Sequence, residues 1–178
     1  IPLAPLPPNT EGQPATAFEI EGDRSIAEPG ATTQLTAVVR YADGTTRDVT
    51  AQAQWRPLDE GLGVISPGLI RAWSYGQHVV QVTYRDGEGA ASVNTGVRVG
   101  PGDAFLLRVY VGSYSSATPG ARVLVRSPAG TFSGVTDERG FVLLPAVGDT
   151  TVEVEGDGFG SMTKSVTVTG DQEISFVQ

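Results

Sequence analysis

From Ala17 onward, apolar and polar residues alternate over short runs. TAFEIEG (16–22) sets Phe18 and Ile20 on one face, and TTQLTAVVRY (32–41) does the same for Leu35, Ala37, Val39 and Tyr41. GQHVVQVTYR (76–85) aligns Val80, Val82 and Tyr84, and ASVNTGVRV (91–99) aligns Val93, Val97 and Val99. A period of two places successive side chains on opposite faces, so these runs predict half-buried antiparallel strands. Turn-forming clusters separate them: EPGA (28–31), ADGTT (42–46), SPG (66–68) and RDGEG (85–89). After GPGD (100–103), a linker, a second series begins with AFLLRVYVG (104–112). It continues through ARVLVRS (121–127), TFSGVTD (131–137), GFVLL (140–144), TTVEVEG (150–156), TKSVTVT (163–169) and EISFV (173–177). No helical periodicity of ten residues or more interrupts either series. The expectation is an all-β chain of two β-sandwich domains in tandem, at 16–100 and 103–178.

Residues 1–15 differ from the rest. Five prolines (Pro2, Pro5, Pro7, Pro8 and Pro14) exclude a helix or a central strand and favour an extended arm. Ile1, Leu3 and Leu6 give this arm apolar contacts, and its prolines lower the entropy lost on docking. These three residues are the candidate contacts to a neighbouring subunit or partner protein. A chain opening at Ile1 without an initiator Met is what remains after an export signal has been removed, or after a longer chain has been trimmed. The expected location is extracellular or at the cell surface, with the periplasm as the alternative compartment.

Composition narrows the chemistry. The 178 residues contain no Cys and a single His, His78, which excludes thiol nucleophiles, disulfides and multi-histidine metal sites. His78 lacks a G-x-S-x-G partner for a triad, so a structural role is expected of it. Asp59-Glu60 and Asp137-Glu138 fall in turns, and Glu153 and Glu155 share a strand face; tips of small sandwiches offer no glycosidase cleft. Asp149, Asp157 and Asp171 lie near loop ends where calcium could bind, without EF-hand spacing. Lys164 is the only Lys, and Asn9 and Asn94 both precede the second domain, which argues against a Lys–Asn isopeptide bond there. No catalytic, cofactor or metal site is expected.

Net charge is −8, spread evenly: residues 1–99 carry 7 basic and 11 acidic groups, and residues 100–178 carry 5 and 9. That sign disfavours nucleic acid and anionic membranes as partners, and no apolar run is long enough for direct membrane insertion. Trp73 and Tyr75, in RAWSYGQH (71–78), alternate with Ser74 and form a candidate exposed aromatic platform of the kind that stacks on sugar rings. A glycan is therefore the second partner class considered.

Two resemblances sharpen the fold. QLTAVVRYADGTTRDVTAQAQW (34–55), GVIS (63–66), GLI (68–70) and YGQHVVQVTY (75–84) make residues 18–99 similar to the group 2 bacterial immunoglobulin-like domain. The resemblance implies a tight turn at Asp43-Gly44, a strand starting at Val49-Thr50, and Trp55 as the inter-sheet core aromatic. PLDEGL (57–62) and Gln77-His78 depart from its pattern. TPGARVLV (118–125), TDERGFVLLP (136–145), TTVEVEGDGFG (150–160) and KSVTVTGDQEISF (164–176) make residues 104–177 resemble the carboxypeptidase regulatory-like, transthyretin-like module. Here Phe141 and Phe159 take the aromatic places, while VYVGSY (109–114) and Val147-Gly148-Asp149 depart from the pattern. Both families imply immunoglobulin-like or transthyretin-like sandwiches without catalysis, used mostly in structural and adhesive roles on bacterial surfaces. The leading expectation is a structural or adhesive module, spacer or repeating subunit of a cell-surface assembly or extracellular appendage. The alternative is a carbohydrate-binding accessory module of a larger secreted enzyme; an enzyme in its own right ranks last.

Overall fold

Alternation of valines, leucines and isoleucines with polar residues is realised as strands throughout. The computed structural model describes residues 5–157 and 159–178; Ile1 and Leu3 lie outside them. The chain divides into two units between Val99 and Gly100.

The first unit contains β1 (Ala15–Glu21), β2 (Ser25–Ile26), β3 (Thr32–Gln34), β4 (Thr36–Tyr41), β5 (Thr46–Asp48), β6 (Gln54–Pro57), β7 (Leu62–Ser66), β8 (Leu69–Ala72), β9 (Gly76–Asp86) and β10 (Gly89–Val99). They form sheets ordered β1-β4-β5, β2-β10-β9-β6 and β3-β8-β7. Ile20, Leu35, Val39, Ile70, Val80, Val82, Val97 and Val99 are buried between them.

Two sequence expectations are corrected here. The run 32–41 is not one strand: it breaks at Leu35, whose N–H donates to the Gly68 carbonyl at 2.8 Å. Its first part pairs with β8 and its second with β1. Val49-Thr50 ends a strand instead of starting one. The Thr50 hydroxyl accepts the Ala37 N–H at 2.9 Å, and Val49 donates to the Ala37 carbonyl, so side chain and turn take over from the ladder. The Asp43-Gly44 turn forms, with Gly44 at φ +83° and Asp43 accepting from the Thr45 N–H and hydroxyl. Those two bonds hold the Asp43 carboxyl below its usual pKa.

Trp55 is not a buried inter-sheet anchor. It sits on β6, the edge of its sheet, half-buried against the core, and its indole N–H donates to the Thr50 carbonyl at 3.0 Å. An edge strand places a large ring at the core's margin, and the centre is filled by aliphatic side chains instead.

The second unit contains β11 (Phe105–Gly112), β12 (Arg122–Ser127), β13 (Gly130–Val135), β14 (Phe141–Ala146), β15 (Gly148–Gly156), β16 (Gly160–Val168) and β17 (Gln172–Val177). Its sheets are β14-β11-β17 and β13-β12-β15-β16. Leu107, Val109, Val111, Leu144 and Phe176 from the first are buried, as are Val123, Val125, Val152, Val154 and Val168 from the second. β17 pairs with β11 in parallel, which brings the chain's end beside the unit's first strand. Phe159 is buried, whereas Phe141 is half-buried between the Tyr110 ring, 5.0 Å away, and the Arg108 guanidinium at 3.8 Å.

Candidate functional site

A surface seam lies where the first unit's amino-terminal strand changes sheets. β1 pairs with β4, then the chain crosses so that β2 pairs in parallel with the end of β10. Among the described residues this leaves one edge of β1, and the edge of β10 before Arg98, without a ladder partner along a common seam.

The hydrogen-bond pattern fixes which backbone groups point into the seam. Arg98 donates its N–H to the Arg24 carbonyl, away from β9. In an antiparallel strand without a register shift, residues of the same parity point the same way. Ala90, Ser92, Asn94 and Gly96 therefore direct their N–H and C=O groups toward the unpaired edge. By the same reasoning Ala37 and Tyr41 bond on the β5 side, so Val38 and Arg40 face β1, and Phe18 and Ile20 of β1 face the seam. Arg24 already caps the Ile20 carbonyl at 2.5 Å.

Two crevices line up along this seam. The lower, of about 340 Å³, lies among Pro5, Leu6, Ala15, Phe18, Ala90 and Ser92. The upper, of about 330 Å³, lies among Phe18, Ile20, Arg24, Val93 and Thr95. The Phe18 ring borders both and stacks on Tyr84 at 6.2 Å. Thr95 is 3% exposed, and its hydroxyl has no hydrogen-bond partner among the described residues. A buried hydroxyl left unpaired costs on the order of 1–3 kcal/mol relative to one that is bonded.

The proline-rich arm forms one wall of the lower crevice. Leu6 packs on the core of the first unit. The arm backbone passes so close to Gly89 that a Cβ there would stand 2.5 Å from the Pro5 carbonyl oxygen and 2.9 Å from the Leu6 Cα. Asn9 governs the turn that follows: its side-chain oxygen accepts the N–H groups of Glu11 and Gln13, and its amide donates to Asp43 and Thr45. Leu6 thus lies against its own chain's first unit; Ile1 and Leu3 are outside the described residues.

Trp73 and Tyr75 do not form one platform. Trp73 is 52% exposed, lies over Gly63 and carries the Arg71 guanidinium 5.7 Å from its ring. Tyr75 turns the other way and packs on the core, where burial, with the Glu28 carboxylate adding to it, raises its hydroxyl's pKa. The alternation that suggested a shared face ends with β8 at Ala72, before either ring.

His78 is a strut. Its Nδ1 lies 2.8 Å from Asp59 Oδ1 and its Nε2 lies 3.1 Å from the Ser74 carbonyl oxygen. The ring rests directly on Gly61, where a Cβ would overlap it. The same Asp59 carboxylate accepts the N–H groups of Gly61 and Val79, so PLDEGL (57–62) is pinned to β9 by one acid and one imidazole. Substituting Asp59 and His78 by alanine, singly and together, is expected to show a coupling of about 0.5–1.5 kcal/mol in urea unfolding, at the modest end because Asp59 is 42% exposed. Additive losses would show that the pair does not act as a unit.

In the second unit several acidic groups hold strands and loops. Glu153 bridges to Arg126, Asp149 accepts the Thr167 hydroxyl, and Asp171 caps the Leu106 N–H. No group of three potential metal ligands occurs among the described residues. Lys164 donates to the Ser175 carbonyl and lies 5.0 Å from the Phe176 ring.

Sequence reasoning missed Thr95, the one polar residue in the inward series Val93, Thr95, Val97, Val99. A polar side chain breaking an apolar alternation was the available signal. It also missed Asn9, whose role depends on contacts more than thirty residues away in sequence.

The fold defines the class: a tandem β-sandwich chain with an arm docked on its first unit. No family model matches the chain, and no curated protein matches its sequence. Among solved structures it is similar to the Bacillus anthracis TIE protein, at 13% identity and a TM-score of 0.33, over 90% of this chain and 40% of that one. It is similar to BcpA, the major pilin subunit of Bacillus cereus, at 7% identity and a TM-score of 0.32, over 96% and 76% of the two chains. The Yersinia pseudotuberculosis adhesin InvE shares 13% identity, with a TM-score of 0.34 over 89% and 61%. The chain thus spans about two fifths of the length of the TIE protein. No helix among the described residues is long and apolar enough to cross a membrane.

Proposed function

We propose that this chain is a non-catalytic structural and adhesive module of a bacterial cell-surface assembly or extracellular appendage, acting as a spacer or repeating subunit. The observation that carries this reading is the arm and seam: a proline-rich segment, Pro5 to Pro8, laid against sandwich edges that have no ladder partner among the described residues. Its backbone groups suit capture of another polypeptide strand. Support also comes from the two resemblances, which liken 18–99 to bacterial immunoglobulin-like domains and 104–177 to carboxypeptidase regulatory-like modules. Of the side chains first considered for chemistry, His78, Asp59, Asp149 and Asp171 are engaged in holding loops and strands. In this reading the protein is exported and its partners are other protein subunits.

The test is antibody labelling of intact cells that make the protein, with immunogold imaging. Surface or fibre-associated gold is expected. Labelling that appears only after the cells are lysed would overturn the proposal.

A further inference from the structure

We infer that Lys164 is a guard residue: from the inner face of edge strand β16 it keeps the open side of the second unit from pairing with strands of other chains. The inference goes beyond the proposed function, because it names a face through which copies do not join.

The first argument is which edges the second unit leaves open. On one side β13 and β14 close on each other: a Cβ at Gly134 would stand 2.7 Å from a Val142 methyl and 3.2 Å from a Leu144 methyl. On the other side lie β16 and β17, and no strand among the described residues pairs with their outer edges. Just past β17, the Gln178 N–H donates to the Gly112 carbonyl. Residues of the same parity along a strand point the same way, so Ile174 and Phe176 bond toward β11, and Ser175 turns its N–H and C=O outward.

The second argument is the sequence of β16. Between Gly160 and Gly170 the chain reads SMTKSVTVT, rich in β-branched residues and without proline, and Lys164 is its only charge. Uncharged runs of this kind on an exposed edge template pairing with another chain. The register sets Lys164 opposite Val152, Met162 opposite Val154 and Val166 opposite Thr150. Val152, Val154 and Thr150 are all buried. Residues directly opposite share a face, so Lys164 stands in the inward series, where the alternation calls for an aliphatic side chain.

The third argument is what the lysine touches. Its Nζ crosses the open side, donates to the Ser175 carbonyl and lies 5.0 Å from the Phe176 ring. One ammonium thus occupies the gap between the two sheets and caps an outward-facing acceptor of β17, while the residue as a whole stays exposed to water. A strand added to either edge has to cover that ammonium or detach it from Ser175. Covering an ammonium without a counter-charge is strongly unfavourable, and an inward-pointing lysine on an edge strand is a recognised way of discouraging such additions.

The test compares the full chain with its Lys164→Met and Lys164→Arg variants, sized by light scattering over a concentration series. Methionine removes the charge and keeps much of the side chain's length; arginine keeps the charge. Circular dichroism and urea unfolding establish that each variant is folded. Expected is a mean mass for Lys164→Met at least twice that of the parent chain at the top of the series, with Lys164→Arg matching the parent. To locate the contact, Thr163, exposed on β16, is replaced by Cys and spin-labelled, since the chain has no cysteine of its own. Dipolar broadening is expected in Lys164→Met/Thr163→Cys and not in Thr163→Cys alone. A Lys164→Met variant that keeps the parent's mass overturns the inference. So does growth of Lys164→Arg to the same extent, because the charge is then not the guard. Growth without broadening at Thr163 overturns it as well, because the contact then lies elsewhere. Should Lys164→Met fail to fold, Lys164→Gln is read in its place; if both unfold, Lys164 serves packing and the guard role falls. All masses are read against the parent chain, so the outcome is separate from that of surface labelling.

Discussion

Replacing Phe176 by alanine is expected to unfold the second unit while leaving the first intact. Phe176 is fully buried and is the largest such side chain among the described residues. It lies on β17, opposite Val111 of β11, and closes the sandwich from its last strand. Truncating a buried aromatic residue to alanine costs about 3–5 kcal/mol, against about 5–15 kcal/mol for a whole small domain. The two units can be read separately, because both tryptophans, Trp55 and Trp73, lie in the first. Fluorescence-detected urea unfolding of Phe176→Ala should keep its midpoint, while the circular dichroism signal loses amplitude early. Phe176→Leu, which keeps much of the volume, should lose about 1 kcal/mol or a little more. A circular dichroism profile unchanged in the alanine variant would show that the last strand does not carry the second core.

The strand pattern was legible wherever one face of a strand meets the core and the other meets water. Leu35, Ala37, Val39 and Tyr41 alternate in sequence and are all buried. The seven runs expected after residue 103 correspond to β11 through β17. What sequence did not disclose depends on which sheet a strand joins. The break at Leu35 follows from pairing with two different sheets, and period-two alternation runs through such a switch unchanged. Trp55 was assigned to the centre by the immunoglobulin-like resemblance, but its position on an edge strand decided its exposure. The seam was hidden for a similar reason: it arises because β1 and β2, adjacent in sequence, pair in different sheets. Only Thr95 marked it, as a hydroxyl where the alternation called for an aliphatic side chain.

Gly68→Ala is expected to be the most damaging glycine substitution in the first unit. Gly68 sits in the SPG turn with φ +77°, in the left-handed region where an alanine costs about 1–2 kcal/mol. Space is the greater obstacle. A Cβ at Gly68 would stand 2.1 Å from the Leu35 carbonyl oxygen, 2.5 Å from the Gln34 amide nitrogen and 2.8 Å from Thr50 Cγ2. Gln34 can swing away, but the Leu35 carbonyl cannot move alone. The Leu35 N–H is held by the Gly68 carbonyl at 2.8 Å, and the Leu35 side chain is fully buried. Relieving the contact means shifting the crossover between β3 and β4, an overpacking cost of about 1–3 kcal/mol. The combined loss should be roughly 2–5 kcal/mol, read as a drop in the tryptophan unfolding midpoint. Gly87→Ala supplies the comparison: at φ +57° it carries similar backbone strain, but a Cβ there meets nothing within 4 Å. It should lose only the conformational part, about 1–2 kcal/mol. The difference between the two variants isolates the close approach of the turn to Leu35. Equal losses would mean that the crossover yields freely and that the left-handed backbone alone requires glycine at position 68.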